Sequence, residues 1–138
     1  MSEENVELVR RIYEAAARRD SAAVLAYYDP DVEWDSSGSP LSRLIGGRGT
    51  YHGHEGVRDW FREWHEAWES VEEDYKELID AGDQVISIAT ARARGRASGV
   101  DVEMSDYAAL WTVRDGKVVR VVWFPTREQA LEAAGLSE

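Results

Sequence analysis

The residues suited to chemistry gather in a few short stretches. Asp35 ends the alternating segment Asp31-Val32-Glu33-Trp34-Asp35, and His52 and His54 flank Gly53 just ahead of Glu55. A carboxylate in an apolar, aromatic surround can act as general acid or base. After a strand, the same residue can instead close an Asx-type turn onto Ser36 or Ser37. His52 and His54 admit a proton shuttle or polarising contact beside Asp35. For His54-Glu55 the alternative is the polar first turn of a helix, where side chains meet free N–H groups. No metal is expected: no third ligand stands at a recognised spacing from these histidines, and the chain has no cysteine. His65 lies off the neighbouring tryptophan stripe and is expected to face solvent.

Two cationic motifs receive structural readings. Arg92, Arg94 and Arg96 alternate along one strand face, which suits phosphate contacts or cross-strand ion pairs. Glu72, Glu73, Asp74 and Glu77 are the expected counterparts. Gly46-Gly47-Arg48-Gly49 is similar to a phosphate loop, but His52 stands where the third glycine belongs, and the strand-turn-helix setting is missing.

Aromatic residues supply the binding surface. Six Trp and six Tyr in 138 residues are a heavy load, and such side chains fill cores, line apolar pockets or anchor interfaces. Trp60, Trp64 and Trp68 share one helical stripe with Val57 and Phe61. Period-two counting groups Tyr107, Ala109 and Trp111 on one strand face, and Val119, Val121 and Trp123 on the next.

The elements that must position these groups follow from periodicity. Helical patterns run over 4–19, over a short stretch capped by Asp20 and stopped at Pro30, and over 54–69. A strand at 31–35 precedes the Gly/Ser-rich loop 36–50. Strand patterns then occupy 72–80, 83–94, 102–114 and 117–124, and Asp115-Gly116 signals a hairpin. Thr126-x-x-Gln129 opens a tail helix as a capping box. The order α-α-β-α-β-β-β-β with a short C-terminal helix predicts one α+β domain over 1–138: a curved antiparallel sheet wrapped around helices, enclosing a cone.

Charge narrows the partners. The 16 Lys and Arg against 27 Asp and Glu leave a net charge of −11, which disfavours nucleic acid and anionic membranes. The segment MSEENVELVRR is acidic and lacks an apolar core, so no signal peptide is read there and a cytoplasmic setting is expected.

Six segments together carry a family resemblance: ELVRRIYEAAARRD at 7–20, YDPDVEWD at 28–35, YHGHEGVRDWFREW at 51–64, LIDAGDQVI at 78–86, LWTVRDGKVVRVVWF at 110–124 and REQALEAAGL at 127–136. In this order the chain resembles the SnoaL-like branch of the NTF2-like superfamily, which includes ketosteroid-isomerase-like proteins. The resemblance implies the cone fold. It implies Asp35 as general base at the cone mouth, near Trp64, Tyr107 and Trp123, with Arg48 able to fold over it. The ketosteroid-isomerase oxyanion pair falls on Ile12, next to Tyr13, and on Ala109 or Ala108, so that oxyanion hole is absent. Tyr13, Trp60, Trp64, Tyr107, Trp111 and Trp123 are the expected ligand wall, and Asp35 and His52 the expected catalytic pair. Arg120, Val122 and Phe124 would form an apolar outer stripe suited to a homodimer.

Two readings stay open. One is cofactor-free isomerisation, cyclisation or dehydration of a small apolar or aromatic molecule. The other is a non-catalytic ligand-binding or dimerisation module.

Overall fold

A computed structural model describes residues 2–39 and 49–136. Helix α1 (Ser2–Ala17) and helix α2 (Ser21–Ala26) lead into strand β1 (Tyr28–Asp35). After β2 (Thr50–His52) comes helix α3 (Gly53–Ala67). Strands β3 (Trp68–Ala81), β4 (Gln84–Gly95), β5 (Asp101–Arg114) and β6 (Lys117–Phe124) follow, and helix α4 (Arg127–Ala133) closes the order. No helix of the described residues is long and apolar enough to cross a membrane. The central part of the 36–50 loop, with Gly46, Gly47 and Arg48, lies outside the described residues.

The predicted α+β cone is the observed fold: a curved, unclosed six-stranded sheet in the order β2-β1-β6-β5-β4-β3. One pairing differs from the antiparallel expectation. Strand β1 lies parallel to β6, with Trp34 opposite Val121, because β2, α3 and the long meander intervene between them. Strand β2, unforeseen in the loop, pairs Trp34 with Tyr51. Trp68 was counted on the α3 stripe, but its backbone is already extended and it begins β3.

Two cores sandwich the sheet. The larger one lies on the concave side, where α1, α2 and α3 pack. The smaller joins Ile86, Ile88, Ala108 and Leu110 to Ala130 and Leu131 of α4, with Phe124 packed alongside. Phe124 was expected on an open outer stripe; α4 instead covers it, since burying both apolar faces removes both from water. A register shift near Thr112 in the β5–β6 ladder turns Val118 inward in place of Val119. The arginine row also finds other partners. Arg92 pairs with Glu103 at 2.6 Å and Arg94 with Asp101 at 2.7 Å, both on β5. Arg96 donates to the carbonyls of Glu66 and Trp68 where α3 ends.

Local chemistry sets the ends of these elements. Asp20 caps α2 by accepting from the Ala23 amide at 3.1 Å, and Thr126 caps α4 by accepting from Gln129 at 3.2 Å. Asp115 and Gly116 both take positive φ (52° and 75°), as a type I′ hairpin turn requires. Gly38 is required by close approach: a Cβ there would sit 2.2 Å from the carbonyl oxygen of Trp123.

Two outcomes follow from this packing. Gly38→Ala must push the 36–39 segment off β6, a strain of about 1–3 kcal/mol, and should lower the midpoint of urea unfolding. Thr126→Ala removes the cap that seats α4 and should cost about 1 kcal/mol, read in the same titration.

Candidate functional site

The concave face of the sheet, with α1 and α3, encloses a cavity of about 250 Å³. Its wall is aromatic because the inward positions of β1, β5 and β6 carry Trp34, Trp111 and Trp123, while α3 presents Trp60, Phe61 and Trp64. The rings touch one another. Trp60 stacks on Trp64 with centroids 5.0 Å apart and tilts against Trp34 at 4.8 Å. The indole N–H groups of Trp34, Trp60 and Trp123 are buried and have no partner among the described residues.

Five of the six residues expected to form the ligand wall line this cavity: Tyr13, Trp60, Trp64, Trp111 and Trp123. Tyr107 stands behind the wall, buried, with its ring 5.7 Å from Trp123 and its hydroxyl donating to Glu73.

Asp35 and His52 are brought together, but elsewhere. They border a shallow groove along β1 and β2 with Glu33, Thr50 and Arg120, and neither lines the aromatic cavity. The expected position of Asp35 at the cone mouth is therefore corrected. In β1 successive side chains face opposite ways, and Trp34, only 3% exposed, takes the inner side. Slipping the strand by one residue would bury Glu33 and Asp35 and expose the indole. The Asp35 carboxylate instead accepts from the Ser37 amide at 3.0 Å and from the Ser37 hydroxyl at 2.5 Å, an Asx-type turn. His54 bonds the Tyr28 carbonyl at 2.8 Å through Nε2, tying α3 to β1.

Three acids of β3 line the cavity, and of these Glu72 and Asp74 are exposed while Glu73 turns inward. On β3 the inward positions are Val71, Glu73 and Tyr75, so the residue expected in an outer ion pair points into the core. The residue keeps partial solvent access along the strand, while its carboxyl group is held in the cavity wall. Loss of water raises its pKa above the usual glutamate value. The Tyr107 hydroxyl opposes that rise by donating to the carboxylate, and nearby Asp74 adds to it. The signal was present in the sequence: Val71-x-Glu73-x-Tyr75 places the acid between two apolar residues on one face.

A second polar group stands beside it. Ser87, fully buried on β4, is 2.8 Å from the Tyr13 hydroxyl and accepts from the Trp111 indole N–H at 2.9 Å. A serine hydroxyl has one proton and two acceptor sites. The Ser87–Tyr13 bond can run in either direction; with Ser87 as its donor, the Tyr13 proton is left for the cavity that Tyr13 lines. Burial, and then the Glu73 charge, push the Tyr13 hydroxyl well above its ordinary pKa, so it stays protonated.

His65, expected in solvent, also lines the cavity. It stacks on Phe61 at 6.4 Å, and its Nδ1 is buried without a partner among the described residues. Burial, with Arg19 nearby, lowers its pKa and keeps the ring neutral.

Comparison with known proteins agrees with this architecture. The model of the SnoaL-like domain family matches residues 9–121. An NTF2-like protein of unknown function from Burkholderia pseudomallei is 26% identical, with a TM-score of 0.78 over 94% of this chain and 95% of its own. An NTF2-like protein from Burkholderia thailandensis is 31% identical, with a TM-score of 0.75 over 91% and 95%. TerC, co-crystallised with polyporic acid, is 25% identical, with a TM-score of 0.75 over 95% and 97%. No curated protein matches the chain. With its family match spanning most of the sequence and its fold shared end to end, this chain belongs to the SnoaL-like family of the NTF2-like superfamily.

Proposed function

We propose that the protein binds a small, largely apolar or aromatic carbonyl compound in the tryptophan-lined cavity and moves a proton on it without a cofactor. Glu73 takes the acid/base role that the sequence had suggested for Asp35. The observation that carries this reading is the Glu73 carboxyl, turned inward between Val71 and Tyr75 at an aromatic wall, with its pKa raised by burial. Such a shift brings a carboxylate nearer the range where proton transfer at neutral pH is efficient. The co-crystal of the relative TerC with polyporic acid supports small-molecule binding in this fold.

In this mechanism the Glu73 carboxylate removes a proton from the carbon next to the substrate carbonyl. The Tyr13 hydroxyl donates to the oxygen on which negative charge develops, and Ser87 holds that hydroxyl in place. Return of the proton to another carbon gives isomerisation; loss of a β-hydroxyl as water gives dehydration. Attack of the enolate carbon on a second carbonyl of the same molecule gives cyclisation. Preorganised donors at a developing oxyanion are the largest source of rate in such steps.

A homodimer through the outer sheet face would have to use Arg120 and Val122 beside α4, since Phe124 packs with that helix. Light scattering at twice the 15.6 kDa chain mass would establish it.

The catalytic reading is tested with 2-tetralone, an aromatic ketone with acidic C–H bonds. The protein should quench on binding it and catalyse its deuterium exchange in D₂O. Glu73→Gln should lower the exchange rate by about 10²-fold or more while binding persists. Quenching without exchange would leave a non-catalytic binder.

The same carboxyl predicts a pH effect on stability. Its folded-state pKa lies above the unfolded value, so the stabilisation it contributes is complete below the unfolded pKa, about 4.3. That contribution is lost as pH rises through the folded-state value. Glu73→Gln keeps an acceptor for Tyr107 and removes the charge. It should be more stable than the parent at pH 8, with the difference shrinking towards pH 4, as read by denaturant midpoints at the two pH values.

A further inference from the structure

Next to the aromatic cavity lies a second space of about 320 Å³ between the end of α1, the start of α2 and the outer side of α3. The two share Ala16, Arg19, Phe61 and His65 among their lining residues, so the spaces adjoin one another. Three arginines line it in a chain of net charge −11: Arg19, Arg58 and Arg62. Arg62 is neutralised by Asp59 at 3.0 Å and Glu66 at 3.9 Å. Arg19 and Arg58 have no ion pair among the described residues. The one lining carboxylate, Asp20, is occupied in capping α2.

Arg19 also sits where an arginine is a poor choice. Helix α1 ends in a Schellman motif: the Asp20 amide donates to the Ala15 carbonyl and the Arg19 amide to the Ala16 carbonyl, both at 3.0 Å. That motif demands a left-handed residue, and Arg19 supplies it at φ 58°. Glycine fits there without penalty, whereas a side chain is strained. Strain carried at a cavity mouth by an unpaired cation points to a role outside folding. His65 adds an unpartnered Nδ1 on the same wall.

We infer that Arg19 and Arg58 form an anion-recognition site at the cavity mouth, which selects a substrate carrying a carboxylate on its aromatic or apolar body. The charged group lies in this adjoining space, where the His65 ring offers a further polar contact, and the body enters the tryptophan cavity. Glu72 and Asp74 line the cavity from the β3 side. They repel an anion there and so fix which end of the molecule enters. The inference rests on the cavity being the ligand site, as proposed above, but not on Glu73 being catalytic.

Three naphthalene probes of one shape test it by tryptophan quenching: 2-naphthoate, neutral 2-naphthamide and cationic 2-naphthylmethylamine. At low salt 2-naphthoate should bind about tenfold more tightly than the amide, and 0.5 M NaCl should erase most of the difference. Arg19→Gly and Arg58→Gln should each cost the anion about fivefold and leave the amide unchanged. Arg120→Gln, which removes the same charge from the outer sheet face, should change neither. Arg19→Gly should also raise the melting temperature by about 2–5 °C, because glycine relieves the left-handed strain. Equal binding of anion and amide, a preference for the amine, or an equal loss in Arg120→Gln would overturn the site while leaving the cavity reading intact. A lower melting temperature in Arg19→Gly would mark the arginine as structural and overturn its assignment. Failure of all three probes to quench would overturn this inference together with the cavity reading.

Discussion

The indole of Trp34 organises the concave side of this molecule. It lies between Trp60 at 4.8 Å, Trp123 at 5.9 Å, Tyr28 at 6.1 Å and Trp111 at 6.5 Å, joining a helix to three strands of the sheet. An aromatic side chain of this size buries roughly 150–250 Å², so no register of β1 that exposes it can compete. That choice sets the polarity of the whole strand. Val32 and Trp34 go in; Glu33 and Asp35 go out, to meet Arg120 and Ser37. The parallel pairing with β6 then places Val121 opposite Trp34 and brings Trp123 to the cavity wall.

Packing tryptophans around a ligand space has an electrostatic consequence. The wall is poor in water and poor in compensating charge, so any ionisable group in it is shifted. Glu73 rises, the tyrosine hydroxyls at 13 and 107 rise, and His65 falls, each chiefly through desolvation. Carboxyl and phenol are thereby both moved towards keeping their protons. Some of the polar groups there have a specific partner, such as Tyr107 on Glu73 and Ser87 on Tyr13, while the Trp34, Trp60 and Trp123 indoles and the His65 Nδ1 have none among the described residues. A dry pocket with few, well-placed polar groups is the usual form of a small-molecule site.

Charge outside the cavity is arranged by a different rule. Most surface arginines are answered by acids one strand or one helical turn away, as in Arg92–Glu103 and Arg62–Asp59. Exposed pairs of this kind contribute only about 0–1 kcal/mol each. Arg18 and Arg114 also lack an ion pair among the described residues; Arg19 and Arg58 differ from them in lining the space beside the cavity. That Arg19 also holds a left-handed backbone makes this feature a cost to folding as well.

Much of this was legible in residue order. The helices, the four long strands, the Asp20 and Thr126 caps and the Asp115-Gly116 hairpin are written in local periodicity and turn chemistry. Those signals act over a few residues and survive without tertiary context. The element order predicted the cone that the family resemblance also implied, and period-two counting correctly grouped Tyr107, Ala109 and Trp111 on its inner face. What tertiary structure alone decided was which face of each strand is inner and where the ladders slip. The Asp31–Asp35 alternation is equally regular with its carboxylates inward or outward, and only the competition for burial with Trp34 resolves it. The acidic run at 72–74 reads as a solvated edge until Val71 and Tyr75 turn towards α1 and carry Glu73 with them. A shift in the β5–β6 ladder exchanged Val118 for Val119, and no local signal announces such a slip. The sequence by itself therefore determined the elements and the aromatic filling of the cone. Which carboxyl that filling encloses depends on contacts between residues far apart in the chain, and those exist only once the sheet has curled around its helices.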